Sequence, residues 1–134
     1  MDAQRLQENF QTVAAHGTDV AEFFYSDLFR RNPEYRSLFP ASMSRQHEVL
    51  LQALSRIVSL GDNPTELVPY VQELGRAHRD FGVTASHYPE VGVSLISTLR
   101  YFSGVSWNTA LEKDWAEAYD LVAGVMVDAA AEKT

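Results

Sequence analysis

Apolar residues recur at helical spacing along almost the whole chain, and short runs of proline, glycine and asparagine cut that period into separate segments. The first stripe is Leu6, Phe10 and Val13, and it stops at His16-Gly17. A second stripe, Val20, Phe23, Phe24 and Leu28, is expected to start at Thr18 or Asp19. Glu22 lies three residues beyond Asp19, as in a capping box. Asn32-Pro33 ends this helix and permits a short one with proline in its first turn, closed by Leu38-Phe39-Pro40. A long helix then carries Met43, Gln46 or His47, Leu50, Leu54 and Ile57 or Val58 as far as Leu60, before the break Gly61-Asp62-Asn63-Pro64. Pro69 predicts a kink between Pro64 and His78. Pro89 suits the first turn of a helix that turns Tyr88, Val91, Gly92, Leu95, Leu99 and Phe102 inward and closes at Gly104. The last helix is expected from about Trp107 to Ala131 on Leu111, Trp115, Ala118 or Tyr119, Val122 and Met126. Glu112, Asp114, Glu117 and Asp120 form its expected solvated face. No stretch alternates as a strand does. The fold class is therefore all-α, with six to eight helices.

At 134 residues the chain can bury one core. A net charge of -7 with only two lysines argues against a nucleic-acid partner, because phosphate neutralisation needs clustered cations. No apolar run is long enough for a membrane span and the first residues are too polar for a signal peptide, so a cytoplasmic protein is expected. Cysteine is absent, which removes disulfides, thiolate metal sites, cysteine-held iron–sulfur clusters and thiol nucleophiles. Any metal chemistry would then fall chiefly to histidines 16, 47, 78 and 87.

His78 continues the stripe Leu67, Val71, Leu74 and is expected to point inward from the last turn of its helix. The residues alone leave two readings open: a locally satisfied histidine at a helix C-terminus, or an axial ligand to a metal or haem. Gln46 opens an otherwise apolar stripe, which costs free energy unless the amide has a partner. Tyr25 places a hydroxyl in the middle of the second helix. No glycine-rich phosphate loop is present, and His47-Glu48 lacks the second histidine of a zinc-protease helix.

Several collinear stretches together carry a resemblance. They are Phe24-Tyr25-Ser26-Asp27-Leu28-Phe29 with Asn32-Pro33-Glu34, then Leu38-Phe39, Gln46 with Leu50, and Leu74-Gly75-Arg76-Ala77-His78. His87-Tyr88-Pro89-Glu90-Val91-Gly92 and Trp115-Ala116-Glu117-Ala118-Tyr119 with Val122 complete the set. On these the chain resembles the bacterial haemoglobin family, that is, the globin domain of flavohaemoglobins and the single-domain bacterial haemoglobins. The resemblance implies a globin fold packed around haem b (iron protoporphyrin IX). It implies His78 as the proximal iron ligand, Phe39 against the porphyrin, and Tyr25 and Gln46 as the distal donors to bound ligand. Leu50 would narrow the distal pocket, and Tyr88 would match the tyrosine of a proximal relay. His47, about 100° round the helix from Gln46, is the rival for the distal role.

The implied ligands are oxygen, nitric oxide and other diatomic molecules. The implied activity is conversion of nitric oxide to nitrate, which needs an NAD(P)H- or ferredoxin-linked reductase to restore the iron. Three departures stand out. Ala130 occupies the position of the relay glutamate, with Glu132 two residues on. Ala77 replaces a frequent lysine, with Arg76 and Arg79 on either side. Residues 1–134 read as a globin domain alone, with no reductase domain in this chain. The alternative expectation is therefore a non-enzymatic globin for oxygen storage, delivery or sensing.

Overall fold

The structure is a computed structural model and describes residues 2–132. Six α-helices and two short 3-10 turns follow one another: α1 (Ala3–Ala14), α2 (Thr18–Arg31), a 3-10 turn (Pro33–Leu38), α3 (Ser44–Ser59), α4 (Pro64–Asp80), α5 (His87–Ser103), a second 3-10 turn (Gly104–Ser106) and α6 (Thr109–Ala130). Among the described residues there is no strand. No helix among the described residues is long and apolar enough to cross a membrane.

Local chemistry sets the boundaries. The Asp2 carboxylate accepts from the Arg5 amide, the Asn63 side chain from Glu66 and the Asn108 side chain from Leu111, each satisfying a free N–H at a helix start. The start of α2 differs from the expectation. No capping box forms; Gly17, at φ 62°, turns the chain directly out of α1, and Thr18 is already helical. Pro69 does not divide the segment into two helices either, and α4 runs as one helix from Pro64 to Asp80 with Pro69 inside it. Pro69 is exposed and close to the helix start, so the carbonyl that loses its donor can face water.

The buried core comes mainly from α1, α2, α5 and α6: Leu6, Phe10, Val13, Val20, Phe24, Leu28, Leu95, Leu99, Leu111 and Trp115. A buried relay crosses it. Trp115 Nε1 donates to Asn9 Oδ1 (2.8 Å), Asn9 Nδ2 donates to Ser103 Oγ (2.8 Å), and Ser103 Oγ donates to the Leu99 carbonyl (2.6 Å). Three helices are thus tied by bonds worth about 1 kcal/mol each. Asp114, expected on the solvated face of α6, is instead buried and paired with Arg5 of α1. A carboxylate at that depth needs its cation, and one helix's periodicity says nothing about an arginine on another.

The remaining two helices sit differently. α3 packs on α2 and α1, and α4 packs on α6. Although α3 is strongly amphipathic, none of its residues is fully buried. Leu50, Leu51, Leu54 and Val58 are only half-covered. α4 buries only Val71 and Gly75.

Candidate functional site

Tyr25 lies at the centre of an aromatic cage. Its ring meets Phe24 (4.9 Å) and Phe39 (5.3 Å) edge-on, and stacks with Phe29 (5.8 Å) and His47 (5.7 Å). The helical period of α2 directs Phe24, Tyr25 and Leu28 inward together, while Phe39 arrives from the end of the 3-10 turn. Gln46, in the first turn of α3, donates from Nε2 to Tyr25 Oη at 2.9 Å. The amide that opens the apolar stripe therefore has its partner. Burial pushes the Tyr25 phenol above its ordinary pKa, and the Gln46 bond offsets only part of this, so the group stays protonated. Its oxygen receives Gln46 while its own proton has no acceptor among the described residues. Leu50 is one helical turn beyond Gln46 and half-buried against the core.

His78 stands in the last turn of α4. The Leu74 carbonyl, 2.7 Å from Nδ1, can only accept, so Nδ1 carries the hydrogen of the neutral ring. Nε2 then holds a lone pair and has no partner among the described residues. The expectation that His78 is held against the core is not met, since its side chain is exposed. The stripe is buried at Val71, half-buried at Leu67 and Leu74, and emerges at His78. The reason lies in how α4 is anchored, through Val71 and Gly75 on α6, which leaves the helix end to project.

The two groups share a border. Gly82, just past α4, approaches Leu38, with 3.8 Å between its notional Cβ and the Leu38 side chain; Phe39 is the next residue. Tyr35, in the same 3-10 turn, meets His87 edge-on at 4.8 Å. His87 Nδ1 accepts from the Thr84 amide (2.9 Å), and His16 lies against Phe102 (5.0 Å).

Tyr88 is half-buried, and burial raises its pKa. Its carbonyl accepts from Tyr119 Oη (2.6 Å), but no hydrogen bond joins Tyr88 to His78 among the described residues. Glu132 is held by Arg76 (2.9 Å), while Arg79 donates to the carbonyls of Ala130 (3.3 Å) and Glu132 (3.4 Å). Both arginines beside His78 are thus engaged with the end of α6. Of the residues singled out from the sequence, Tyr25 meets both Phe39 and Gln46, while Leu50 lies against the core one turn beyond Gln46. The sequence did not reveal that His47 stacks on Tyr25, because a histidine beside a glutamine on a helix carries no signal of which ring it meets.

These features suit a flat, apolar, iron-bearing group. They offer an imidazole Nε2 without a hydrogen-bond partner among the described residues, an aromatic at the corner, and an α3 stripe that the protein itself leaves half-covered. The globin family model matches residues 21–126. The chain belongs to the globin family. This globin is 30% identical over 115 residues to a flavohemoprotein of Chromobacterium violaceum, covering 84% of this chain and 28% of that protein. It is 29% identical over 119 residues to the flavohemoprotein of Bacillus thuringiensis subsp. konkukian, covering 87% and 29% respectively. The chain therefore spans less than a third of the length of these relatives. Among solved structures it is similar to an engineered carbene transferase from Rhodothermus marinus, provisionally named a nitric oxide dioxygenase. That match has 29% identity and a TM-score of 0.85, over 96% of this chain and 90% of the other. A bacterial globin from Campylobacter jejuni, at 23% identity and a TM-score of 0.82 over 96% and 93%, shares the fold.

Proposed function

We propose that this globin holds haem b through His78 Nε2 and binds oxygen and nitric oxide beneath Tyr25 and Gln46. With an electron donor, it converts nitric oxide to nitrate. Family membership supports the cofactor, and the relatives bear names that join a flavin to a haem. When bound, the haem supplies an iron that takes diatomic ligands and passes single electrons.

The observation that carries the ligand chemistry is the 2.9 Å bond from Gln46 to Tyr25. By occupying the phenol oxygen, Gln46 turns the phenolic proton outward as a donor. A ligand whose outer atom gathers negative charge gains about 1–3 kcal/mol from such a charge-assisted bond. The aromatic cage keeps water off that bond and fixes the ring. Phe39 and Leu50 shape the apolar walls, and the Leu74 carbonyl orients the His78 ring and raises its basicity. Turnover would draw electrons from an NAD(P)H- or ferredoxin-linked reductase.

One observation favours the second reading, a non-enzymatic oxygen-binding or sensing globin. Glu132 is committed to Arg76, Ala130 has no carboxylate, and no carboxylate hydrogen-bonds the Tyr88 phenol among the described residues. Without a carboxylate behind it, the proximal ligand pushes less electron density, which suits reversible binding better than oxygen activation.

The test is a spectrum and a count. Purified protein loaded with haem should give a five-coordinate ferrous spectrum, and His78→Gly should lose it and regain it with added imidazole. An unchanged spectrum in His78→Gly would overturn the ligand assignment. Many nitrates formed per haem in the presence of a reductase supports dioxygenation; one per haem supports the binding reading.

A further inference from the structure

Of the four histidines, His47 is the one whose ring meets Tyr25. His16 lies on Phe102, His78 is bound to Leu74, and His87 is bound to Thr84 and Tyr35. The His47 and Tyr25 ring centroids are 5.7 Å apart with planes 27° from parallel. His47 is half-buried, and neither of its ring nitrogens has a hydrogen-bond partner among the described residues. Consecutive residues on a helix point about 100° apart, so α3 applies two neighbours to one phenol: the Gln46 amide at its oxygen and the His47 ring at its face.

We propose that His47 is a positioning residue for Tyr25, and that its charge sets how strongly the phenol donates to a bound diatomic ligand. A cation against the face of an aromatic ring is attracted to it and favours electron withdrawal from that ring. An imidazolium at His47 therefore makes the Tyr25 O–H a better donor, whereas the neutral ring leaves it an ordinary phenol. Histidine is a side chain that can carry or lack a charge, so the coupling can be read by varying pH.

The other charged groups around this pair have partners elsewhere or face solvent. On α2, Asp27 lies about 200° round the helix from Tyr25 and is bound by Arg30 (2.7 Å) and Arg31 (2.8 Å). The 3-10 turn contributes Arg36, which donates to the carbonyls of Phe39, Pro40 and Ala41 and lies over the Phe29 ring (5.6 Å), one ring removed from Tyr25. On α3 itself, Arg45 and Glu48 flank His47 with opposite sign and are exposed. α1 meets α3 at its far end, where Gln7 donates to the Val58 carbonyl (3.1 Å).

The inference rests on the proposed ligand site, so its test has two arms. In the first, oxygen dissociation from the haem-loaded full chain is timed from pH 8.5 to 5.5. Dissociation should slow by about threefold to tenfold as pH falls, the range expected for one charge at this separation. His47→Phe, which keeps a ring but no charge, and His47→Gln should both stay at the fast, high-pH value. In the second arm, tyrosine ring carbons are labelled in the purified full chain. The Tyr25 resonance should shift with a histidine-like titration that both variants abolish.

A flat pH profile in the parent chain, or a profile that survives in His47→Phe, overturns the inference. So does a six-coordinate ferrous spectrum that His47→Phe abolishes, since His47 would then be an iron ligand. Failure to take up haem defeats the proposed function alone, and the tyrosine titration still decides the coupling.

Discussion

The two helices that border the site are attached to the molecule by different means. α4 is held backbone to backbone: a Cβ on Gly75 would stand 2.4 Å from the Met126 carbonyl oxygen and 2.6 Å from its Cα. Arg76 and Arg79 then fasten the same helix to Ala130 and Glu132 at the end of α6. α3 contains no glycine that would allow such an approach. It leans on its neighbours through half-buried leucines and through side chains that reach Tyr25. Main-chain contact fixes the axis of α4, and with it the place of His78, because there is no rotamer to adjust. Side-chain contact lets α3 exchange one group for another without moving the helix. A site built this way keeps its proposed iron ligand still and leaves its ligand-facing chemistry open to substitution.

The most direct way to break the contrast is Gly75→Ala. The added methyl meets backbone atoms of α6, which cannot swing aside as a side chain would. Overpacking of this kind should cost about 3 kcal/mol, measured as a shift in the urea midpoint. Haem affinity should fall with it, since His78 is three residues away on the displaced helix. A loss below about 0.5 kcal/mol would mean that α4 is not anchored there.

Leu50→Ala probes the other helix. A fully buried leucine loses about 2–5 kcal/mol on truncation, and Leu50 is only half-covered, so about 1 kcal/mol is expected in the haem-free chain. If Leu50 lines the ligand pocket, the cost should grow once haem is loaded. Equal costs with and without haem would remove Leu50 from the pocket.

The same contrast explains what the residues could disclose. Tyr25, Gln46 and His78 stand out in the chain because each is a polar group at a position where the helical period calls for an apolar one, or beside it. The all-helical class follows from that period, and the boundaries follow from proline, glycine and asparagine. Contacts between helices leave no such trace. The Gln46–Tyr25 bond joins residues 21 apart, and Arg5 meets Asp114 across 109. Asp114 therefore reads as solvated and His78 as buried, when each is the reverse. Gly75 reads as a weak point in a helix; its value appears only when Met126 lies against it.

Gly124 supplies the smallest effect and the sharpest control. Like Gly75, it sits inside a long helix, but it is exposed and a Cβ there would meet nothing within 4 Å. Alanine should fit without strain and reduce the freedom of the unfolded chain, raising stability by about 0.5–1 kcal/mol. The two glycine-to-alanine changes thus share their helix propensity gain and differ only in what the methyl touches. Subtracting one midpoint shift from the other isolates the α4–α6 contact from the helix term. If Gly124→Ala instead destabilised the protein in a concentration-dependent way, the exposed face of α6 would be covered by a second molecule in solution. The open space beside Gly124 would then belong to an interface.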